Sequence, residues 1–550
     1  MSDIAPNKRY YLLALLFVLL LYGKTLTFSF VTDDWFNLFE NAKVFNLADI
    51  KEIFTKPQIN FGEAIYYRPF DTISFLALLK AFGDVTALYH LTNVLLLALF
   101  SFLFYYLLSL HFLDKRLSFF CLLIYLAHPL LVEPVAWISA KNQIVEGIMF
   151  LSALISLEKI AKEDSKYIIL LFIAAVLALL FHDTGIMLLP LMWAYVLIFH
   201  KEKVRNKRYL SLLFLLTVFF TLLVFFRNSV VPFPKSPYPV KTHILTAITI
   251  LAAYIKNMVF PFSLKIHYYN LTVKENFDSD LIVSSLILLI TFVPLILYSK
   301  KNKIALFGSF FFLLTFFPAS GLVKFIQKSL ISDRYTFLPL IGVTIIVCSV
   351  LDKISKKTIL YYSLCFVVLV FSITNFIRQD VWRDDLANAI ERVREYPDNA
   401  VERSNLAAEY MKLGMLDSAE KELITAFQVS KKPEEGVYNN YAMLATLRGD
   451  LKLTEEIYLE YLKHNEKSHR TLYNLGTFYL ERGEKEKAKL YLEKALRYVQ
   501  KDSYEYADIL NNLGIIAYLS NDKPLSKRCF EEALKARPYD ERYRKNAELE

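Results

Sequence analysis

The sequence predicts an all-α protein in two parts, a polytopic membrane helix bundle of about eleven spans in residues 1–377 and an α-solenoid in residues 378–550. Three observations carry this. Hydrophobic residues make up 55% of the chain, with 45 Phe, which is too apolar for a soluble protein of 550 residues. Many apolar stretches approach the roughly 20 residues that cross a hydrocarbon core as a helix. Near residue 378 the apolar runs stop, and a charged, helix-periodic pattern begins that recurs about every 34 residues.

The expected spans are 10–30, 87–110, 117–132, 143–157, 166–181, 184–200, 209–226, 280–298, 304–320, 335–351 and 358–377. The first follows Lys8 and Arg9, is longer than a signal-peptide core and has no small-residue cleavage site after Gly23, so it reads as an uncleaved anchor. Residues 244–262 are apolar enough for a twelfth span. Lys256, Asn257, Pro261 and the pair Tyr268 and Tyr269 suit a re-entrant or interfacial helix better. With the N-terminus in the cytoplasm, 18 Lys/Arg fall in the inner segments and 15 in outer segments about three times longer, the bias that orients membrane proteins. An odd number of crossings then carries the repeats outside. That means beyond a bacterial inner membrane, or in the endoplasmic reticulum lumen of a eukaryotic cell.

Residues 1–377 hold 34 Lys/Arg against 22 Asp/Glu, and residues 378–550 hold 29 against 32. The basic surplus belongs to the membrane part, and the arm lacks the footprint of a nucleic-acid binder. Cys121, Cys348 and Cys365 lie in spans and Cys529 stands alone, so neither a disulfide framework nor a thiolate metal site is indicated.

In the arm, Asn405, Asn440, Asn474 and Asn512 are offset by 35, 34 and 38 residues, and two other sets keep those offsets: Gly414, Gly449, Gly483, Asn521 and Ala426, Tyr461, Ala495, Ala533. This fits about four tetratricopeptide units of paired helices, preceded by a half-unit at 382–396. The recurring Asn sits on the first helix of each unit, which lines the concave face. In tetratricopeptide proteins that glycosylate polypeptides, which the pattern resembles, an Asn ladder at this position grips peptide backbone through its donor and acceptor pair. Repeat consensus alone also accounts for it.

The outer face collects the polar residues that a membrane edge tolerates only for a reason. Asp33 and Asp34 follow the first span, where a carboxylate suits general-base work on a hydroxyl and also helix N-capping. Arg68 offers a planar fork to a phosphate, or snorkels to headgroups. His90 and Asn93 share a helix face at i and i+3. His128, Glu133 and Lys141 mark the most distinctive loop, and Asp183 sits in a tight hairpin. These six residues are the candidate cavity lining. Lys324, Lys328 and Arg334 stand where the positive-inside bias disfavours cations, so an anionic ligand or lipid headgroups explain them. The sequence contains no Walker loop, dinucleotide fingerprint, HExxH helix or nucleophile elbow.

Asp33 with Asp34, Tyr67-Arg68-Pro69 leading to His90 and Asn93, His128-Pro129 leading to Trp137-Ile138-Ser139, Asp333-Arg334-Tyr335 leading to Leu338-Pro339, and Trp382-Arg383 before the repeats together resemble the GT-C membrane glycosyltransferases. The closest resemblance is to the transmembrane-and-tetratricopeptide (TMTC-like) O-mannosyltransferases and their bacterial relatives. The resemblance spans nearly the whole chain, with little specificity over 200–320. It implies a polyprenyl-phosphate-sugar donor, a hydroxyl acceptor such as protein Ser/Thr, and inverting transfer on the outer side. It makes Asp33 or Asp34 the base and Arg68, Lys324, Lys328 and Arg334 the donor-phosphate ligands. Gln143 stands where relatives carry an acid and Asp183 where Glu is commoner, which puts both positions in doubt. Two other classes stay open: a transferase of the same fold acting on glycan or lipid, and a non-enzymatic scaffold that recruits partners through its repeats. No cofactor is assigned. Two adjacent aspartates without further clustered ligands make a weak site, so a divalent metal is compatible with the sequence but not indicated.

Overall fold

Apolar runs become helices because a helix satisfies its own backbone groups while presenting side chains all round. The computed structural model describes residues 8–35, 50–55, 58–59, 65–112, 114–231, 236–323, 330–501, 503–537 and 541–548. It divides the chain into two units, 1–384 and 385–550. The division falls seven residues beyond the boundary expected from composition, because the turn Gln379–Trp382 belongs to the first unit. There Trp382 is buried, and its ring stacks on Trp137 with centroids 5.6 Å apart.

The first unit contains α1 (Lys8–Tyr22), α2 (Ile50–Thr55), α3 (Pro69–Phe82), α4 (Thr86–His111), α5 (Lys115–Ala127), α6 (Val132–Ala136), α7 (Lys141–Ala161) and α8 (Tyr167–Phe181). It continues with α9 (Leu188–Phe199), α10 (Lys207–Val230), α11 (Val240–Val259), α12 (Ser279–Ser299), α13 (Lys303–Phe316), α14 (Phe337–Leu351) and α15 (Lys357–Arg378). One pair of two-residue strands, β1 (Gln58–Ile59) and β2 (Ile65–Tyr66), is the only sheet among the described residues.

Among the described residues seven helices, α1, α4, α10, α11, α12, α14 and α15, are long and apolar enough to cross a membrane, or eight if the bent pair Lys115–Ala127 and Pro129–Ala136 forms one span; α11 is thus among them, although the 244–262 run was expected to be re-entrant or interfacial. Three further expected spans are apolar helices of 10–17 residues, and α7 carries Lys141, Glu146, Glu158 and Lys159 along its length.

Side-chain ties mark the two ends of this bundle. At one end Asp114 caps α5 and accepts the Tyr361 hydroxyl of α15 at 2.6 Å, Tyr298 of α12 donates to the Ser349 carbonyl of α14, and Glu158 of α7 accepts from His200 beyond α9 at 2.7 Å. The opposite ends of these helices carry His128, Asp333, Arg378, Lys141 and His182. The helix α11 departs from this alternation. His243 near its start meets the Gly321 carbonyl beyond α13, and the Met258 carbonyl near its finish accepts from His128 beyond α5. Both contacts lie at the same end of the bundle, so this helix, about 30 Å long at 1.5 Å per residue, runs across that end. Where α13 and α14 cross, a Cβ on Gly342 would come within 2.5 Å of the Phe312 backbone nitrogen, so only glycine permits the approach.

The second unit begins with α16 (Asp385–Glu395). Four antiparallel pairs follow: α17 (Ala400–Lys412) with α18 (Leu416–Val429), α19 (Glu435–Leu447) with α20 (Leu451–His464), α21 (His469–Glu481) with α22 (Lys485–Tyr498), and α23 (Tyr504–Leu519) with α24 (Lys523–Ala536). The last helix is α25 (Glu541–Ala547). Each turn within a pair needs a left-handed residue, supplied by Gly414, Gly449, Gly483 and Asn521 at φ between +58° and +80°. Ala426, Ala495 and Ala533 are fully buried between paired helices, Tyr461 takes the same place in the second pair, and Gly476 and Gly514 press directly on Leu492 and Phe530.

Candidate functional site

At the end of the bundle that α11 crosses, the chain leaves α1 through a short turn and bends at Thr32, whose φ of +52° is a strained, left-handed conformation for a non-glycine residue. The bend sends Asp33 and Asp34 different ways. Asp34 is fully buried. Its Oδ2 accepts from the Val31 backbone N–H at 3.0 Å, and its Oδ1 accepts from both the backbone N–H and the hydroxyl of Ser139, at 2.8 and 2.6 Å. Burial pushes this carboxyl up to about 7; the bonds from Ser139 and Val31 oppose the rise, and the neighbouring Asp33 adds to it. Asp33 is half-buried. The pair therefore splits into an inward carboxyl that pins the turn to the 137–140 segment and a half-buried one on the strained corner.

Two residues beyond Ser139, Lys141 is buried and donates to Asp71 Oδ1 at 2.8 Å while lying over the Phe75 ring. Their pairing satisfies two charges that neither helix could bury alone. Arg68 stands at the N-cap position of α3, without a side-chain capping bond, and stacks on Tyr66 at 4.3 Å. Its Nη2 lies 3.9 Å from Asp183, and its buried Nε has no hydrogen-bond partner. Asp183 is held instead by Arg227 at 2.7 Å, a cation that also closes on the Val231 carbonyl. Beneath them, Glu146 and Thr184 share a short hydrogen bond, and Gln143 Nε2 lies 3.1 Å from His182 Nε2.

The third group hangs on residues 332–335. Glu133 Oε1 accepts from Arg334 Nη1 at 2.7 Å and from Ser332 at 3.0 Å, while its Oε2 accepts the Arg334 backbone N–H. The Arg334 guanidinium lies 5.0 Å from the Trp137 ring. Asp333 turns the other way, accepting from Tyr268 at 2.7 Å and Arg378 at 2.8 Å. Tyr66 lies within the electrostatic reach of both Arg68 and Arg334. The 137–140 segment joins the groups: Trp137 faces Arg334 and Ser139 holds Asp34.

The structure thus brings together Asp33, Asp34, Arg68, Glu133, Lys141, Asp183 and Arg334. His128 and Asn93 are braces rather than cavity walls. The His128 ring is buried between the Met258 carbonyl and the Leu130 N–H, and Asn93 donates to the Val135 carbonyl at 3.1 Å. His90 is fully buried against Phe28 under the same turn, with no opening to it. Lys324 and Lys328 lie outside the described residues.

Sequence reasoning missed Arg227 and Glu146. Each is an ionisable residue within a mostly apolar helix, the signal that marks function or a buried partner. It also left out Tyr66, Tyr268 and Arg378, whose importance comes from partners distant in sequence.

In the arm three of the four ladder amides are already engaged. Asn440 donates to the Ser404 carbonyl and hydroxyl of the preceding unit, Asn512 donates to Thr477 of its predecessor, and Asn405 to Glu402. Residues 469–499 match the family model for the Tetratricopeptide repeat. That segment is a tetratricopeptide repeat. No curated protein matches the chain. Among solved structures, the chain is similar to YrrB, described as a TPR protein with an unusual peptide-binding site, at 13% identity over 34% of this chain and 91% of that one, with a TM-score of 0.24. It is also similar to the APC/C hetero-tetramer Cut9-Hcn1, at 12% identity over 80% of this chain and 76% of that one, with a TM-score of 0.27. At such scores the assignment of tetratricopeptide character rests on the repeat match and on the helix pairs themselves.

Proposed function

We propose that the chain is an integral membrane glycosyltransferase that moves a sugar, such as mannose, from a polyprenyl-phosphate donor to a hydroxyl acceptor on the extracytoplasmic side. The observation that supports it is the grouping, around the 137–140 segment, of a half-buried carboxylate on a strained corner, the Arg68 guanidinium stacked on Tyr66 and the Arg334 guanidinium beside Trp137. In this reading the Asp33 carboxylate takes the proton of the acceptor hydroxyl as its oxygen bonds to the anomeric carbon. The bond from that carbon to the phosphate oxygen breaks with inversion, and the electron pair leaves with the polyprenyl phosphate. Arg68, which has a buried donor to spare, neutralises that leaving group, with Arg334, Lys324 and Lys328 contributing from the 324–334 segment. Asp34 positions the corner and is not the base.

Eleven crossings belong to this proposal. The helices α1, α4, α5, α7, α8, α9, α10, α12, α13, α14 and α15 alternate between the two marked ends, and α11 lies along the outer one. The acceptor is a polypeptide engaged by the repeats, for which tetratricopeptide units supply a binding surface of the right class. The three engaged ladder amides then exchange their bonds within the arm for bonds to the acceptor. Incubating the purified protein in bilayers with radiolabelled polyprenyl-phosphate sugars tests the proposal. Label on protein supports it, label on lipid or glycan moves the acceptor class, and no transfer with any sugar favours a scaffold.

A further inference from the structure

One buried ion pair takes no part in the transfer chemistry proposed above. Lys141 opens α7, Asp71 lies in the first turn of α3, both are buried, and Lys141 Nζ donates to Asp71 Oδ1 at 2.8 Å. Desolvating two charges costs about as much as their attraction returns, and apolar residues of similar volume are often at least as stabilising in such a place. Apolar packing is already at hand. Phe75 of α3, Ile138, Phe30 and Tyr89 form one buried cluster, and the Lys141 ammonium lies over the Phe75 ring. What the ion pair adds to that cluster is a direction and a fixed length.

Each partner stands a few residues from a working group. Arg68 occupies the N-cap position of the helix that carries Asp71, one turn before it. Ser139, two residues before Lys141, gives its backbone N–H and its hydroxyl to Asp34, the neighbour of Asp33. Helical backbone and tight turns are stiff over so few residues, so the 2.8 Å bond ties the Arg68 end of α3 to the corner that carries the base. We propose that Lys141 and Asp71 are positioning residues, which set the separation between the Asp33 carboxylate and the Arg68 guanidinium. The inference rests on the transferase reading of those two groups. Inversion needs the attacking oxygen and the departing phosphate oxygen on opposite sides of the anomeric carbon, and a misplacement of about 1 Å costs roughly a hundredfold in rate. Lys141 acts through Ser139 and Asp34, and Asp71 through Arg68.

The test removes the bond without leaving a buried charge alone. Lys141→Met combined with Asp71→Leu makes the pair apolar, and Lys141→Asp combined with Asp71→Lys reverses it. Full-length proteins in nanodiscs are compared by hydrogen exchange over 28–35 and 137–141, by binding of polyprenyl phosphate, and by initial rates of sugar transfer at saturating donor. The apolar pair should keep the fold and bind polyprenyl phosphate as the wild type does. It should exchange faster in both segments and turn over about a hundredfold more slowly. The reversed pair should recover protection and most of the lost turnover. Wild-type turnover from the folded apolar pair would overturn the proposal, and so would a parallel loss of phosphate binding and turnover, which marks general support of the fold. If the wild type transfers no sugar from any donor, the transferase reading fails by itself. Faster exchange in both segments of the apolar pair then still supports the tie between them, and unchanged exchange overturns it.

Discussion

The bundle and the arm satisfy buried polar groups over very different lengths of chain. In the arm, Ser404 reaches Gly436, Asn439 meets Thr471 and Asn546 meets Asn511, ties of 32 to 35 residues that join each unit to the next. In the bundle, Asp34 holds Ser139, Glu133 holds Arg334 and Asn375 reaches Tyr22, spanning 105, 201 and 353 residues. A repeat array is stabilised by itself and its neighbours, so one damaged unit leaves the others standing. A bundle tied end to end concentrates consequence in a few pairs. The strained corner and the unpartnered Arg68 Nε occur in the region with long-range ties, where the surroundings can hold such features in place.

The largest effect that would sharpen this contrast is the loss of a buried pair. Lys141→Ala leaves Asp71 with an uncompensated buried charge, at a cost of about 3–5 kcal/mol. Thermal unfolding of the full-length protein in detergent should show the bundle transition falling sharply while the arm's helical signal persists. Equal loss from both regions would break the comparison. In the arm, Gly476→Ala places a Cβ 2.7 Å from the Leu492 side chain and should cost about 1–3 kcal/mol. Protease sensitivity and hydrogen exchange should rise within α21 and α22 and not in the bundle.

A smaller effect separates the two aspartates by pH. Asp34 titrates near 7 in the folded protein, above the ordinary carboxylate value, so its stabilising contribution is present at low pH and is lost as pH rises from about 4 through about 7. Asp34→Asn removes that dependence. The fall in melting temperature from pH 5 to pH 8 should be shallower in the variant than in the wild type, and identical slopes would place the titration elsewhere. The smallest expected change is in topology labelling. A single cysteine at Ser418 should react with an impermeant reagent in intact, outer-permeable cells, and protection there would contradict eleven crossings.

The arm was legible because its information is local and repeated. The turn residues Gly414, Gly449, Gly483 and Asn521 could be aligned by offset alone, and all four adopt left-handed backbone. The bundle was legible only in part. Apolar length located the helices, but it did not separate the run at 244–262 from a span, since α11 is as long and apolar as the others. Which polar residues face a partner and which face outward was not legible, because hydropathy does not record pairing. His128 and Asn93 carry the same signal as Glu133 and Lys141, yet they are spent on backbone carbonyls. Asp33 and Asp34 are adjacent, and only the bend at Thr32 distinguishes them.

That distinction gives the most direct test of the central claim. Initial rates of sugar transfer from a polyprenyl-phosphate donor should be measured for the wild type, Asp33→Asn and Asp34→Asn, with donor binding measured in parallel. The account predicts that Asp33→Asn lowers turnover by about a hundredfold or more, the usual scale for removing a general base, with donor binding unchanged. Asp34→Asn should lower turnover less, and should reduce thermal stability most at low pH, where the protonated carboxyl makes its full contribution. Near-normal transfer by Asp33→Asn, or no transfer by the wild type with any polyprenyl-phosphate sugar, would contradict it.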